Sequence, residues 1–386
     1  MLWAVIMAGG SGTRFWPESR AGRPKQFLKI FGRKTLIEQT VDRLKPVIPS
    51  SRVIVITNEQ HTGLVKKLLK ISPSHIVGEP VGRNTAPCAV LAAQMIFEKD
   101  PEGIIALLPS DHRITDEKQF RGALEAAGRI AKAEGMPVTF GIKPSSANTG
   151  YGYLEMADVF AREKGFEAYR LKCFHEKPDA AKAKKFLAAG NFLWNSGMFV
   201  WRADSVLKAA KEFLPESVTL SEKITGFRHC EEASGRRGNL KTGIASVAKI
   251  KRLPRNDGKS FTENLKRFYK DMPNISIDYG LMEKLAGKIL TLPIDIGWHD
   301  LGGWLAFEEL WEKDTAGNAS QGPALIVDSA NNVVKATGKR MIALLGVKDL
   351  VVVDTEDAIL VCPKDKTESI RQIVQALKDK KLAKYL

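Results

Sequence analysis

The sequence predicts an α/β fold: a mostly parallel mixed sheet flanked by helices, followed by a small C-terminal β appendage and a terminal helix. Three observations carry this expectation. The first is an N-terminal apolar run, Leu2-Trp3-Ala4-Val5-Ile6-Met7-Ala8, that ends abruptly in Gly9-Gly10-Ser11-Gly12-Thr13-Arg14. Such a run suits a buried parallel strand, and the glycines let the backbone turn sharply where it stops. The second is a regular alternation of short apolar runs with helix-length segments up to residue 142. Strands separated by single helices build a parallel sheet through right-handed crossovers. The third is a change of texture near Gly322, after which short apolar runs are divided by turns.

The elements follow in order. Residues 35–44 read as a helix, 52–56 as a strand, 61–69 as a helix, 74–77 as a strand and 85–97 as an apolar helix. Residues 103–108 read as a buried strand, 117–133 as a helix and 137–142 as a strand, which makes the arrangement Rossmann-like. Ligands of such sheets lie at the carboxyl ends of the strands, so the loops that follow strands are the informative ones. The glycine loop is an anion cradle, with Arg14 and Lys25 adding charge where a polyphosphate would lie. It lacks the Gly-Lys-Ser/Thr ending of an ATPase P-loop and the third glycine of a dinucleotide fingerprint. The second loop, residues 78–87, offers Glu79 and a helix start capped by Asn84 or Thr85, suited to a base edge or a phosphate. In the third, Leu107-Leu108-Pro109-Ser110-Asp111-His112, an acid directly follows a buried strand. Asp111 there suits a Mg²⁺ ligand or a helix cap, and His112 a structural role.

Beyond residue 143 the chain reads as short segments punctuated by glycine and aromatics, including Asn148-Thr149-Gly150-Tyr151-Gly152-Tyr153, Phe174-His175-Glu176-Lys177-Pro178 and Leu193-Trp194-Asn195-Ser196-Gly197. Glu176, Lys177 and Asn195 are polar groups among apolar strand residues, suited to sugar hydroxyls on carboxylate and amide and to a phosphate on the lysine. Each also suits a surface ion pair or a turn. Residues 203–272 read as mostly helical and basic, with a stretch at 235–259 that shows no assignable pattern. Ile277-Asp278-Tyr279 and Gly297-Trp298-His299-Asp300-Leu301-Gly302 follow, the latter placing a carboxylate among glycines and tryptophan. In the appendage, 327–335, 341–345, 349–354 and 358–361 read as strands and 366–382 as a helix, expected to pack on the main domain or on a partner subunit. The expected division is a catalytic domain at 1–318 and the β unit at 319–386.

The bulk numbers narrow the function classes. With 386 residues, 44% hydrophobic and 27% charged, the chain has the composition of a soluble enzyme. Its 59 Lys+Arg against 44 Asp+Glu give a net charge of +15, but clusters such as Lys66-Lys67 and Arg236-Arg237 lie in polar stretches and no nucleic-acid motif accompanies them. The charge clusters read as solvated faces, and phosphorylated small molecules are the expected partners, with no nucleic acid and no membrane. The apolar runs are too short to span a bilayer, and the first reads as a strand and not as a signal peptide, so the expected location is cytoplasmic. Cys88, Cys173, Cys230 and Cys362 stand apart with no Cys-x-x-Cys pair, which suits reduced thiols and neither disulfides nor zinc.

Taken together, the islands resemble the mannose-1-phosphate guanylyltransferases of the sugar-nucleotidyltransferase family. The match runs in order through Gly9 to Pro17 with Pro24-Lys25-Gln26-Phe27, then 78–87, 109–112, 148–153, Glu176-Lys177-Pro178, Trp194-Asn195-Ser196-Gly197, 277–279 and 298–302, so it covers nearly the whole chain. The resemblance implies the nucleotide-diphospho-sugar transferase fold, with an appendage of left-handed β-helix type. It implies transfer of GMP from GTP to mannose 1-phosphate, with Mg²⁺ held by Asp111 and Asp300. It further implies that Arg14 and Lys25, with Ala8, Gly9, Gly10, Gly12 and Thr13, serve the nucleotide and its triphosphate, and that Glu79, Asn84 and Thr85 lie by the guanosine. Gly152, Glu176, Lys177, Asn195 and Asp278 would surround the mannose phosphate. His299 departs from the small polar residue that relatives often carry. Larger relatives add an isomerase unit that is not expected here, relatives commonly self-associate, and a homodimer is left open. Another hexose 1-phosphate or nucleotide, or a non-catalytic relative, are the alternatives.

Overall fold

Val5 and Ile6, neighbours in the first strand, belong to two different apolar cores, and this decides the architecture. Trp3 and Val5 pack in one core with Ile54, Ile56 and the helix Thr85–Lys99, while Ala4, Ile6 and Ala8 pack in another with Val53, Val55 and the helix Glu117–Glu134. Side chains alternate across a strand, so an uninterrupted apolar run requires cover on both faces. The computed structural model describes residues 1–10, 12–226 and 260–386. Ser11 and residues 227–259, which include Cys230 and the whole stretch at 235–259 without a sequence pattern, lie outside the described residues.

The strands of the catalytic part are β1 (Leu2–Ala8), β2 (Val53–Asn58), β3 (Ile76–Glu79), β4 (Ile104–Pro109), β5 (Arg113–Ile114), β6 (Val138–Ile142), β7 (Tyr153–Glu163), β8 (Phe166–His175), β9 (Phe192–Arg202), β10 (Leu290–Ile294) and β11 (Trp298–His299). Nine of them form one sheet in the order β3-β2-β1-β4-β9-β6-β10-β8-β7. β1 runs parallel to β2, with Ala8 opposite Thr57, and to β4, with Met7 opposite Pro109. The loops after these three strands therefore open on one edge. β9 enters antiparallel between β4 and β6, which makes the sheet mixed. β5 and β11 pair separately, Arg113 with His299, and tie the loop after β4 to the loop after β10.

Local chemistry explains the elements and the departures. Thr35 and Glu38 form a reciprocal capping box at the start of the helix Leu36–Leu44. The strand expected at 74–77 begins only at Ile76, because Pro73 opens a short 3₁₀ turn at Pro73–His75. The segments expected to be short beyond residue 143 are three long strands of 11, 10 and 11 residues, β7 to β9. Polar residues and bulges interrupt the alternation without ending the pairing.

The appendage is a coil of stacked turns. Its strands are β12 (Ala319–Gln321), β13 (Ala324–Val327), β14 (Val333–Ala336), β15 (Ile342–Leu345), β16 (Leu350–Asp354) and β17 (Ile359–Pro363). β12, β14 and β16 pair in parallel, β13 pairs with β15 in parallel, and β17 folds back antiparallel on β16. The single strand expected at 327–335 is instead divided by a turn in which Asp328 and Asn331 adopt φ 48° and 55°. Buried asparagines hold the corner: Asn332 N and Nδ2 donate to Asn318 Oδ1 at 3.0 and 2.9 Å, and Leu350 N donates to Asn332 Oδ1 at 2.9 Å. The helix expected at 366–382 is a 3₁₀ turn, Lys364–Ser369, followed by the helix Ile370–Asp379.

A third core joins the appendage to the glycine-loop region. Phe15, Trp16, Leu28, Trp304 and Phe307 pack with Val333, Val351, Val353, Ile370 and Val374. Lys335 Nζ, buried beside the rings of Trp304, Phe307 and Trp311, pairs with Glu18 at 2.8 Å. Phe307 is fully buried and stacks on Trp311 with ring centroids 4.4 Å apart. Phe307→Ala is expected to destabilise the chain by about 3–5 kcal/mol. A lower urea midpoint at unchanged denaturant slope would report this loss.

Candidate active site

Gly12 is a glycine because of Lys25. Its φ is 59°, and a Cβ there would fall 2.6 Å from both the Cβ and the backbone N of Lys25. The loop is also clamped from behind. Gln26 Nε2 donates to Ala8 O at 2.8 Å and to Gly10 O at 3.2 Å, and Thr57 Oγ1 donates to Ala8 O at 2.9 Å. Lys25 itself is only 6% exposed. Its Nζ donates to Asp111 Oδ2 at 2.8 Å and to the backbone oxygen of Asp300 at 2.6 Å. The loops after β1, β4 and β10 thus meet at one ammonium group.

The two aspartates that are far apart in sequence line the same two compartments, and both touch Lys25, Asp111 through its carboxylate and Asp300 through its backbone oxygen. Burial pushes the Asp111 carboxyl up, but Lys25 beside it outweighs this and holds it below the usual range. Asp300 Oδ1 accepts from Tyr151 OH at 2.9 Å and from Gly302 N at 3.0 Å, the turn being made by Leu301 at φ 51°. Tyr151 stands edge-on to Trp194 and Trp298, and Trp298 Nε1 donates to His112 Nδ1 at 3.1 Å. His112 is therefore an acceptor at Nδ1, and burial lowers its pKa to about 4, so the ring is neutral at physiological pH. Among the described residues no group of three or more His, Cys, Asp or Glu converges. Two carboxylates on the wall of one cleft suit a hard divalent ion that completes its shell with water and phosphate. The residues present fit such an ion.

Across the cleft, β3 delivers Glu79. Burial raises its pKa to about 7 although Tyr269 OH donates to its Oε1. Glu79 Oε2 lies 3.0 Å from where a Cβ on Gly9 would sit, so this acid is against the glycine loop. Of the two cap candidates, Asn84 is the N-cap of the helix Thr85–Lys99: its side chain accepts from Thr85 N at 3.0 Å, with φ 63°. Thr85 Oγ1 accepts from Ile277 N at 2.8 Å and positions the next residue, Asp278.

Asp278, Asn195 and Glu176 form the third wall. Asn195 Nδ2 donates to Asp278 Oδ1 at 3.0 Å. Burial, with Glu176 nearby, pushes the Asp278 carboxyl up to about 6. A Cβ on Gly152 would lie 2.7 Å from Glu176 Oε2, so the glycine leaves room for that carboxylate. Lys177 pairs with Glu176 at 2.9 Å and is 64% exposed at the rim.

All the site residues expected from sequence except Gly12, Thr13, Arg14 and Lys25 line one cavity of about 440 Å³. Those four line an adjoining compartment of about 360 Å³, and Asp111 and Asp300 border both. Arg14 turns toward the appendage, its Nε 2.9 Å from Glu368 Oε2. Sequence reasoning missed Tyr151, Trp298, Gln26 and Tyr269 as positioning groups. Tyr151, Trp298 and Gln26 lie inside quoted islands, whereas nothing in the sequence around Tyr269 marks it. Gly12→Ala is expected to displace Lys25 and to lower turnover by roughly 10²-fold, the cost of an ångström-scale misplacement. Steady-state kinetics with circular dichroism as a folding control would check this.

The family model for Nucleotidyl transferase matches residues 3–317, and the MannoseP isomerase/GMP-like beta-helix domain matches residues 322–377. A mannose-1-phosphate guanylyltransferase of Escherichia coli is 35% identical over 389 residues, covering 100% of this chain and 76% of the relative. The xanthan biosynthesis protein XanB of Xanthomonas campestris pv. campestris is 36% identical over 377 residues, 97% of this chain and 73% of the relative. A crystal structure described as mannose-1-phosphate geranyltransferase, from Thermus thermophilus, superposes with a TM-score of 0.80 at 30% identity, covering 98% of this chain and 99% of that one.

Proposed function

This chain belongs to the nucleotidyl transferase family, and from that premise we propose that it transfers GMP from GTP to mannose 1-phosphate, giving GDP-mannose and pyrophosphate. One observation carries the reading: Lys25 Nζ touches both the Asp111 carboxylate and the Asp300 carbonyl where the two compartments meet. A site that brings two anionic substrates together needs positive charge at their junction, and this chain builds it into the fold. Curated relatives about as similar as the Escherichia coli protein carry that activity in their names.

The roles follow from position. The glycine loop and Glu79 take the guanosine, with Asn84 and Thr85 fixing the wall behind it. Glu176, Asn195 and Asp278 accept and donate to sugar hydroxyls, Gly152 leaves room for them, and Lys177 at the rim holds the sugar phosphate. Arg14, Lys25 and the backbone around Gly12 and Thr13 receive the departing phosphates. An oxygen of the sugar phosphate forms a bond to the α-phosphorus of GTP as the bond from that phosphorus to the β-bridging oxygen breaks, and the electron pair leaves with pyrophosphate. The second pKa of a phosphate monoester is about 6, so the nucleophile is already ionised and needs no general base. His112, neutral and accepting from Trp298, positions the wall and moves no proton. Mg²⁺ held by Asp111 and Asp300 would neutralise charge at the α-phosphate when bound. With GTP as substrate, the reaction is assigned to the cytoplasm.

Pyrophosphate release measured over four nucleotides and several hexose 1-phosphates tests the assignment. GTP with mannose 1-phosphate should be fastest, and a different pair winning by about tenfold would replace it. Asp111→Ala and Asp300→Ala should each lower kcat by roughly 10²–10³-fold. His112→Ala and His299→Ala should cost less than about 10²-fold, the smallest factor expected of a general base. Glu79 supplies a pH test. Its pKa of about 7 lies above the usual carboxylate range, so the acceptor form needed for the guanine N–H groups is lost as pH falls below that value. The KM for GTP should therefore rise between about pH 8 and pH 6 more steeply in the native chain than in Glu79→Gln. Equal slopes would remove Glu79 from base recognition.

A further inference from the structure

The compartment of about 360 Å³ next to Asp111 and Asp300 has one wall that the catalytic part does not supply. Arg371, in the first turn of the appendage helix Ile370–Asp379, lines it alongside Arg14 and Lys25. Of these cations, Lys25 is paired with Asp111 and Arg14 with Glu368, whereas Arg371 has no ion pair or side-chain hydrogen bond among the described residues. The backbone beneath it is fixed. Ile370 and Val374, which flank Arg371 on the buried side of the helix, are 1% and 9% exposed and pack in the core that holds Phe15, Trp16 and Trp304. Glu368 already brings the same segment to within 2.9 Å of Arg14, so the helix stands against the glycine loop.

We propose that Arg371 is a polyphosphate-contacting residue that receives the leaving pyrophosphate with Arg14 and Lys25, so that the C-terminal appendage supplies part of the active site. This rests on the nucleotidyl-transfer reading given above. A guanidinium presents a planar fork that matches two phosphate oxygens, and its charge cannot be titrated away. Negative charge moves onto the bridging oxygen and the β-phosphate as the α-phosphorus bond breaks. A cation anchored there is worth more in the transition state than in the ground state. The Arg14–Glu368 pair is exposed on both sides and therefore weak, so an entering polyphosphate can take Arg14 from it. Phosphate entry would then leave Arg14, Lys25 and Arg371 lining one anion pocket.

The test uses the full chain carrying Arg371→Ala, Arg371→Lys or Lys378→Ala. Lys378 is an exposed cation on the same helix that does not line the compartment. Pyrophosphate binding is measured by calorimetry, and kinetics are followed in both directions. Arg371→Ala should weaken pyrophosphate and raise the KM for GTP by about tenfold each, the loss of one charge-assisted contact, and should lower kcat as well because the contact strengthens as charge develops on the leaving group. The KM for mannose 1-phosphate should stay within about twofold, Arg371→Lys should recover part of the loss, and Lys378→Ala should match the native chain. Native pyrophosphate affinity in Arg371→Ala overturns the proposal. So does a loss shared equally by mannose 1-phosphate and accompanied by a lower melting temperature, which would mark a structural role. A native chain that binds pyrophosphate through Arg371 yet releases none from GTP and mannose 1-phosphate overturns the reading of the reaction and supports the site.

Discussion

A single buried ammonium group organises the catalytic edge of this protein. Lys25 is almost fully enclosed, and a cation in that position must be met by charge or by carbonyl dipoles, since an unpaired one costs several kcal/mol. The chain meets it twice, with the carboxylate of Asp111 after β4 and the backbone oxygen of Asp300 after β11. Both partners come from loops held by strands: β5 and β11 pair directly, Arg113 opposite His299. Gly12 follows from the same constraint, because any side chain there would occupy the space of Lys25. The carboxylates, the glycine and the lysine are therefore one construction, and none of them can be placed without the others.

The appendage belongs to that construction. Trp304 Nε1 donates to Trp16 O at 3.1 Å, and Trp16 Nε1 donates to Tyr385 O at 2.9 Å, so the loop after Asp300, the loop after Gly12 and the C-terminus are linked in series. Lys335 and Glu18 pair at 2.8 Å in the same region, and Lys364 pairs with Glu308 at 3.0 Å. Removing one partner of a buried pair such as the first would leave an uncompensated charge, at a cost of about 3–5 kcal/mol. The coil is thus a buttress beside the compartment lined by Arg14 and Lys25, and its apolar residues back the loop that carries Arg14.

Strand-helix alternation was legible because it is written in local chemistry. The run from Leu2 to Ala8, the capping pattern at Thr35 and Glu38 and the acid directly after β4 each signal without reference to the rest of the chain. The aspartate at 300 was legible only through the company of its glycines and tryptophans. What stayed hidden depended on contacts between distant segments. Tyr269 lies 190 positions from Glu79, whose carboxyl it faces, and no spacing rule connects them. The parallel coil was expected only through the family resemblance and not from spacing, because its corner is held by Asn318 and Asn332, and buried asparagine reads in sequence as a turn residue. The lengths of β7, β8 and β9 were obscured by bulges that break the two-residue period while the ladder continues.

Among the described residues, three of the eight non-glycine residues at positive φ lie in loops around the cleft, the others in the β7–β8 turn, the appendage and the C-terminus. Asn84, Lys177 and Leu301 are all non-glycine residues at positive φ, at 63°, 41° and 51°, and each lies in a loop that carries a cleft residue. Each such conformation costs on the order of 1–3 kcal/mol, and each is held by a specific contact: the Asn84 cap on Thr85 N, the Lys177 pair with Glu176, and the Gly302 N–H on Asp300 Oδ1. Three apolar cores pack beneath the elements that carry these loops. For the proposed transfer, which places charges and moves no side-chain proton, a fixed geometry is what the chemistry requires, because a displaced charge loses most of its effect within a few ångströms of water.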